Sequence, residues 1–325
     1  MKPSGQDGTR GMAVGARQGR ARSRSPVMGH DVTVRRWVWL VALLASTSTG
    51  AALDAPRTVD AATPATIAHP CGVASTAHYT HVVWIVLENQ GYSVIGSPDA
   101  PFLNHLASVC GLATRSFAVT HPSLPNYLAL TSGSTLGVRD DAEPASHLLQ
   151  APSIFSQLGG GWRSLEESMP SACDRVTSGS YAARHNPAVY YVPIRSTCVH
   201  QDVPLTFPLD LGARFTFITP NVCDDMHSCP VGVGDAWLHR VVNDIVASAL
   251  YRAHTLALFI TFDENDLAAS NQVATFVVAP TVPRGLRVAL TFTHYSLLRT
   301  TETLLNLGLL GAARSASSMV RPFHL

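Results

Sequence analysis

This sequence predicts an α/β fold with a mostly parallel central sheet covered on both faces. Three observations carry that reading. Four runs are apolar and rich in β-branched residues: His81 to Leu87, Phe215 to Thr219, Thr255 to Phe262 and Ala274 to Ala279. Runs of that length without polar alternation are strands buried on both faces. Helix-patterned segments lie between them, as in sheets with helical crossovers.

The elements follow in chain order. Residues 1–36 carry eight basic residues against two acidic ones. Arg35-Arg36, the apolar run Trp37 to Ala45 and small residues through Ala52 read as an export signal around residues 33–52, so 1–52 is a disordered N-terminus plus signal peptide. The apolar run is too short to span a bilayer, although an anchor shares this layout. An Ala-, Thr- and Pro-rich linker is expected over 53–78, and a single domain over 79–325. The first strand, His81 to Leu87, runs into Glu88-Asn89. Ala100 to Val109 is a helix. His121-Pro122-Ser123-Leu124-Pro125-Asn126-Tyr127 puts a hydroxyl in a Pro-bracketed turn before the helix-like run Tyr127 to Thr131. Helix starts leave N–H groups unpaired and bind phosphate readily. Residues 135–210, with many Gly, Pro and Ser, read as loops over the sheet edge. The strand Phe215 to Thr219 runs into Asn221 and Asp224-Asp225-Met226-His227. Asp235 to Leu250 is a helix with Trp237, Leu238, Val241, Val242, Ile245 and Ala249 on one face, and Asp235 is expected to cap its start. Thr255 to Phe262 runs into Asp263-Glu264-Asn265. His294 precedes a helix over Tyr295 to Leu307.

The chain has 325 residues and 46% hydrophobic content, enough for one large domain. Beyond residue 36 it holds 15 basic and 20 acidic residues, with no lysine after Lys2. An acidic body of that kind is a poor nucleic-acid binder, and no nucleic-acid partner is expected. Six cysteines in an exported chain suggest disulfides. Fifteen pairings exist; sequential order, Cys71–Cys110, Cys173–Cys198 and Cys223–Cys229, is the expectation. A cysteine zinc site is the alternative, though no Cys-x-x-Cys pair supports it.

Three strands thus end in Glu88-Asn89, in Asp225 and His227, and in Asp263-Glu264. Ligands of open α/β sheets bind outside the carboxyl ends of the strands, so these residues meet at one rim. Carboxylate and amide oxygens suit a hard cation or zinc. A cation beside a helix-start serine lowers the hydroxyl pKa and screens an incoming phosphate. Singly, each piece has a plainer reading: a solvated loop for Glu88-Asn89, a helix cap for His294, a turn serine for Ser123, a surface loop for His185. Their joint placement favours a site.

The runs His81 to Asn89, Ala100 to Asn104 and His121 to Tyr127 resemble the bacterial phosphoesterase family, which includes secreted acid phosphatases and phospholipase C enzymes and belongs to the alkaline phosphatase-like superfamily. Asp225-Met226-His227, Gly234 to Leu238, Thr261 to Glu264 and Thr293 to Ser296 continue the match, in order, over roughly 79–310. The resemblance implies an alkaline phosphatase-like three-layer α/β/α sandwich with a mostly parallel central sheet. It implies a secreted phosphomonoesterase with one divalent metal ion (zinc, calcium or magnesium), held by Glu88, Asn89, Asp263 and Glu264. It implies Ser123 as nucleophile, His185, His227 and His294 as acid–base or phosphate-contacting groups, and Asn126 and Asp225 at the substrate. A phosphate monoester small molecule or a phosphoinositide, such as phosphatidylinositol 3-phosphate, is the implied partner, with no stable membrane span after signal cleavage. The alternatives are a phospholipase C-type phosphodiesterase and a non-catalytic secreted binding protein on the same fold. A sulfatase fits less well, because Tyr127 stands where that nucleophile motif needs Arg.

Overall fold

The strand β1 (His81–Leu87) is apolar along its length because six successive residues, Val82 to Leu87, are buried, which requires cover on both sheet faces. The computed structural model describes residues 69–325 other than 268 and 269. The export signal expected at 33–52, and the linker as far as residue 68, lie outside the described residues. From Cys71 onward the chain is fastened to the domain: Cys71 is bonded to Cys110, and the Val73 and Ala74 amides donate to the Pro280 carbonyl.

The other strands are β2 (Gly111–Phe117), β3 (Trp162–Glu166), β4 (Asp202–Pro204), β5 (Phe215–Thr219), β6 (Leu256–Phe262), β7 (Gln272–Val278), β8 (Arg287–Val288) and β9 (Phe292–Thr293). They form one sheet in the order β4-β3-β5-β1-β6-β7-β2-β8, with β9 also on β2. β5 and β6 flank β1, both parallel to it. β7 is antiparallel to its neighbours β6 and β2, so β2 regains the direction of β6. β3, β4, β8 and β9 follow the majority direction. The carboxyl ends of β1, β2, β3, β5, β6 and β9 therefore share one rim, and β7 points the other way.

The helices are α1 (Pro101–Val109), α2 (Ser123–Ser132), α3 (Ile154–Leu158), α4 (Arg195–Gln201), α5 (Val231–Ala247), α6 (Ala249–Arg252) and α7 (His294–Leu304). α1 packs on α5 and α2 on α7. Trp84 of β1 anchors α7, its indole N–H donating to Thr301 Oγ1 at 2.9 Å. No helix among the described residues is long and apolar enough to cross a membrane.

Three expectations change. α5 begins at Val231, four residues before Asp235. Asp235 is buried and caps the neighbouring helix instead: its carboxylate accepts the Phe102 and Leu103 amides at 2.8 and 2.9 Å. Those are unpaired donors at the positive end of α1, where a carboxylate is favoured. Residues 135–210 are not all loop: β3 and β4 extend the sheet, with α3 and α4 between and beside them. The run Ala274 to Ala279 begins earlier, at Gln272, and is the antiparallel strand. The three disulfides take the sequential pairing, leaving no free cysteine among the described residues for a zinc site.

Candidate active site

β2 delivers the chain to the rim, and α2 starts there. Ser123 is the first residue of α2 and is 3% exposed. Its Oγ donates to Glu88 Oε2 at 3.0 Å, directly beyond the end of β1. The helix start is less open than the sequence suggests. Pro125 has no N–H, and Asp141 Oδ1 accepts the Leu124 amide at 2.9 Å. Of the first three residues of α2, that leaves the amide of Ser123.

Glu88, Asp225 and Asp263 have no exposed surface, and Glu264 has 5%. Ser123 is hydrogen-bonded to Glu88, and the Asp263 carboxylate is hydrogen-bonded to the backbone of the next residue, Asn89. The hydroxyl at 123 and the acids at 88 and 263 thus converge. Asn89 is in the left-handed region at φ 52°, which Asn tolerates better than most residues, and its amide donates to Asp263 Oδ1 at 3.1 Å. Glu264 Oε2 accepts Asn126 Nδ2 at 3.1 Å and lies 2.9 Å from His121 Nδ1.

The three expected histidines are placed unequally. His185 is 1% exposed, its Nε2 3.2 Å from Glu88 Oε1 and its Nδ1 3.3 Å from Asp225 Oδ2. His294 begins α7 and is buried, and its Nε2 donates to the Asp263 carbonyl at 2.5 Å. That bond fixes the tautomer and removes Nε2 from substrate chemistry. His227 is exposed, with its ring 6.1 Å from that of His185. Asp225 Oδ1 accepts the His227 amide at 2.7 Å, so Asp225 holds the two histidines. Asn126 faces inward: Oδ1 accepts the Val119 and Thr120 amides, and Nδ2 donates to Thr120, Pro122 and Glu264. Its amide braces the loop before Ser123 and has no donor left for phosphate.

Burial dominates the electrostatics. It pushes Glu88 well above the usual carboxylate range, with Asp263 and Asp225 adding to the effect. Burial raises Asp225 to about 8, Asp263 to about 6 and Glu264 to about 9. It drives His185 well down, with Arg184 next in effect, and lowers His294 to about 4. Such a cluster of acids asks for a cation. Asp263 Oδ2 accepts no hydrogen bond, and Asp225 Oδ2 and the His185 nitrogens meet only each other and Glu88, at 3.2 and 3.3 Å, so this acidic rim fits a divalent ion. The rim is looser than a closed metal cage. Among the described residues the tight set of three His, Cys, Asp or Glu donors is Cys173, Cys198 and Asp202, whose sulfurs are joined in a disulfide. At the rim, the Ser123 hydroxyl bonds one of the acids, Glu88. A pocket of about 580 Å³ lies elsewhere, between α1 and α5, and no rim residue borders it.

Sequence reasoning passed over His121, Tyr127 and Asp141 as site residues. Tyr127 was legible by spacing, since residues four apart in a helix share a face. Nothing local marked Asp141.

The sequence pattern of the phosphoesterase family matches residues 90–308. The chain belongs to the phosphoesterase family. Membership makes it a hydrolase acting on phosphoric ester bonds. A phosphatidylinositol-3-phosphatase from Mycobacterium tuberculosis is 33% identical over 257 residues, covering 75% of this chain and 84% of that protein. A phosphate-repressible acid phosphatase from Penicillium chrysogenum is 28% identical, covering 82% of this chain and 69% of that one. Among solved structures, an alkaline phosphatase superfamily protein from Vibrio parahaemolyticus superposes with a TM-score of 0.52 at 12% identity, over 73% of this chain and 69% of that one. The lipoteichoic acid synthase LtaP of Listeria monocytogenes superposes at 0.52 with 11% identity, over 76% of this chain and 78% of that one. At such identities the likeness is one of fold, and with the mostly parallel sheet and its helices it agrees with the expected α/β/α sandwich.

Proposed function

We propose that this phosphoesterase is a secreted, metal-dependent phosphomonoesterase with Ser123 as its nucleophile. One observation carries the reading: a helix-start hydroxyl donates at 3.0 Å to a buried carboxylate on an acidic rim. Glu88, Asn89, Asp263 and Glu264 would hold the ion. A divalent ion bound there lowers the serine hydroxyl pKa and offsets phosphate charge.

The chain's own groups divide the rest. Ser123 Oγ attacks phosphorus and its proton passes to Glu88 Oε2. The P–O bond to the alcohol breaks, and protonated His227, the solvent-facing histidine, supplies the alkoxide's proton. Water then attacks the phosphoserine and gives a proton to the now neutral His227. The P–Oγ bond breaks, and Ser123 recovers its proton from Glu88. His185, His294 and Asn126 hold Glu88, Asp263 and the Ser123 loop in place. Phosphate monoesters are the substrate class; a phosphoinositide is the specific choice that the mycobacterial relative's name supports. Three disulfides and the signal-like N-terminus support export.

The test compares p-nitrophenyl phosphate with its bis-ester after dialysis and addition of zinc, calcium or magnesium. Faster monoester turnover is expected. Preference for the bis-ester would favour the phosphodiesterase, and full activity in Ser123→Ala would remove the serine from its role.

A further inference from the structure

Ser123 and Tyr127 are one helical turn apart on α2, and both meet the same carboxylate. Ser123 Oγ donates to Glu88 Oε2 at 3.0 Å, and the Tyr127 hydroxyl donates to Glu88 Oε1 at 2.6 Å. Side chains at i and i+4 lie one above the other on a helix face, so α2 grips both oxygens of Glu88 at once. Tyr127 has no exposed surface, and its ring lies nearly parallel to that of His185, with centroids 5.4 Å apart and planes 10° apart. The same tyrosine therefore sets the plane of the Glu88 carboxylate and backs the imidazole beside it.

We propose that Tyr127 is a positioning residue: its hydroxyl fixes the Glu88 carboxylate so that Oε2 faces Ser123, and this orientation supports both the serine chemistry and cation binding. The inference rests on the proposed reading of the site. The nucleophile, one turn away, needs its proton acceptor held in a single rotamer, and the 2.6 Å bond supplies that restraint. A Phe at this position would keep the ring on His185 and leave Glu88 Oε1 with only its longer contact to His185 Nε2, 3.2 Å away. Partners that orient a metal-ligating carboxylate typically matter by about 10- to 100-fold in affinity or activity.

The test uses Tyr127→Phe in the full-length protein, with Tyr191→Phe as control. Tyr191 donates or accepts at Thr131 Oγ1 on the same helix, 2.7 Å away, and its ring hydroxyl bond does not involve Glu88. Zinc, calcium and magnesium affinities are read by competition with a chromophoric chelator, in the parent and in a Ser123→Ala background where turnover plays no part. The expected result for Tyr127→Phe is an affinity lower by about 10-fold or more in both backgrounds. Its kcat is expected to fall by a similar factor, with KM within about twofold, and its circular dichroism to match the parent. Tyr191→Phe is expected to keep both affinity and kcat. Affinity and kcat within twofold of the parent for Tyr127→Phe would overturn the positioning role and leave the nucleophile reading intact. Equal losses in Tyr191→Phe would overturn it too, by showing a general packing effect. Turnover retained by Ser123→Ala would instead strike the reading on which the inference stands.

Discussion

Two groups of buried carboxylates sit on this sheet, and they are finished differently. One is Glu88, Asp225, Asp263 and Glu264 beyond β1, β5 and β6. The other is Glu166 at the end of β3 with Asp202 at the start of β4, and both are 1% exposed or less. In the second group the hydrogen bonds close: Asn186 Nδ2 bonds both oxygens of Asp202 at 3.0 and 2.9 Å, and Ser164 and Thr219 bond Glu166 Oε1 at 2.7 and 3.4 Å. In the first, Asp263 Oδ2 accepts no hydrogen bond, and Asp225 Oδ2 faces His185 Nδ1 at 3.3 Å without forming one. Burial raises the carboxyl pKa in both groups, Asp202 to about 7 and Asp225 to about 8. Burial and a perturbed pKa therefore do not separate a site from a structural pair. Unsatisfied acceptors beside a serine hydroxyl at a helix start do.

The same substitution in both groups gives the largest contrast. Glu88→Gln is expected to lower kcat/KM on p-nitrophenyl phosphate by about 10² or more, the scale of a lost proton acceptor. Glu166→Gln is expected to stay within about threefold of the parent. Comparable losses in both would erase the distinction. His227→Gln sharpens the acidic side further. Its kcat should drop about 10²-fold on an alkyl phosphate and less on p-nitrophenyl phosphate, whose leaving group needs little protonation. Equal losses on the two substrates would take the proton-donor role from His227.

Metal removal reads the same contrast through stability. A cation bound only by the folded protein at 100 times its Kd adds about 2.7 kcal/mol, or about 5 °C and more in Tm. Chelation should remove that increment from the parent and from Asp202→Asn, but find none in Asp263→Asn. An Asp202→Asn variant that lost the response would move the ion to the other group. The smallest effect is in pH. Asp202 titrates near 7 when folded and near 4 when unfolded. The folded state thus holds an extra proton between those values, and stability falls as pH rises from about 4 to about 7. Asp202→Asn should flatten that part of the decline in Tm. An unchanged slope would show that Asp202 is not the proton's seat.

The sequence was most legible where the structure is most buried. β1 and β5 have the bounds expected of them, because both faces of each are covered and the apolar run is unbroken. β3 reads Trp-Arg-Ser-Leu-Glu and β2 Gly-Leu-Ala-Thr-Arg-Ser-Phe. Both mix polar residues into the run, one strand from a sheet edge, and neither stood out. Ser123, Glu88 and Asp263 were legible because strand ends and a helix start are local patterns. The brace from Tyr127 to Glu88, the cap from Asp235 to α1 and the engaged amide of Asn126 were not. Each depends on a partner at least six residues away, and the Tyr127 and Asp235 contacts join residues 39 and over 130 positions apart.

Alone, the sequence determined which segments must be buried, where the parallel strands end and which chemical groups stand at those ends. Periodicity and composition encode those features residue by residue. Only the tertiary structure decided which of those groups are satisfied by neighbours and which remain free to act. Hydrogen-bond partners are chosen by the meeting of distant strands, and no local pattern records that choice.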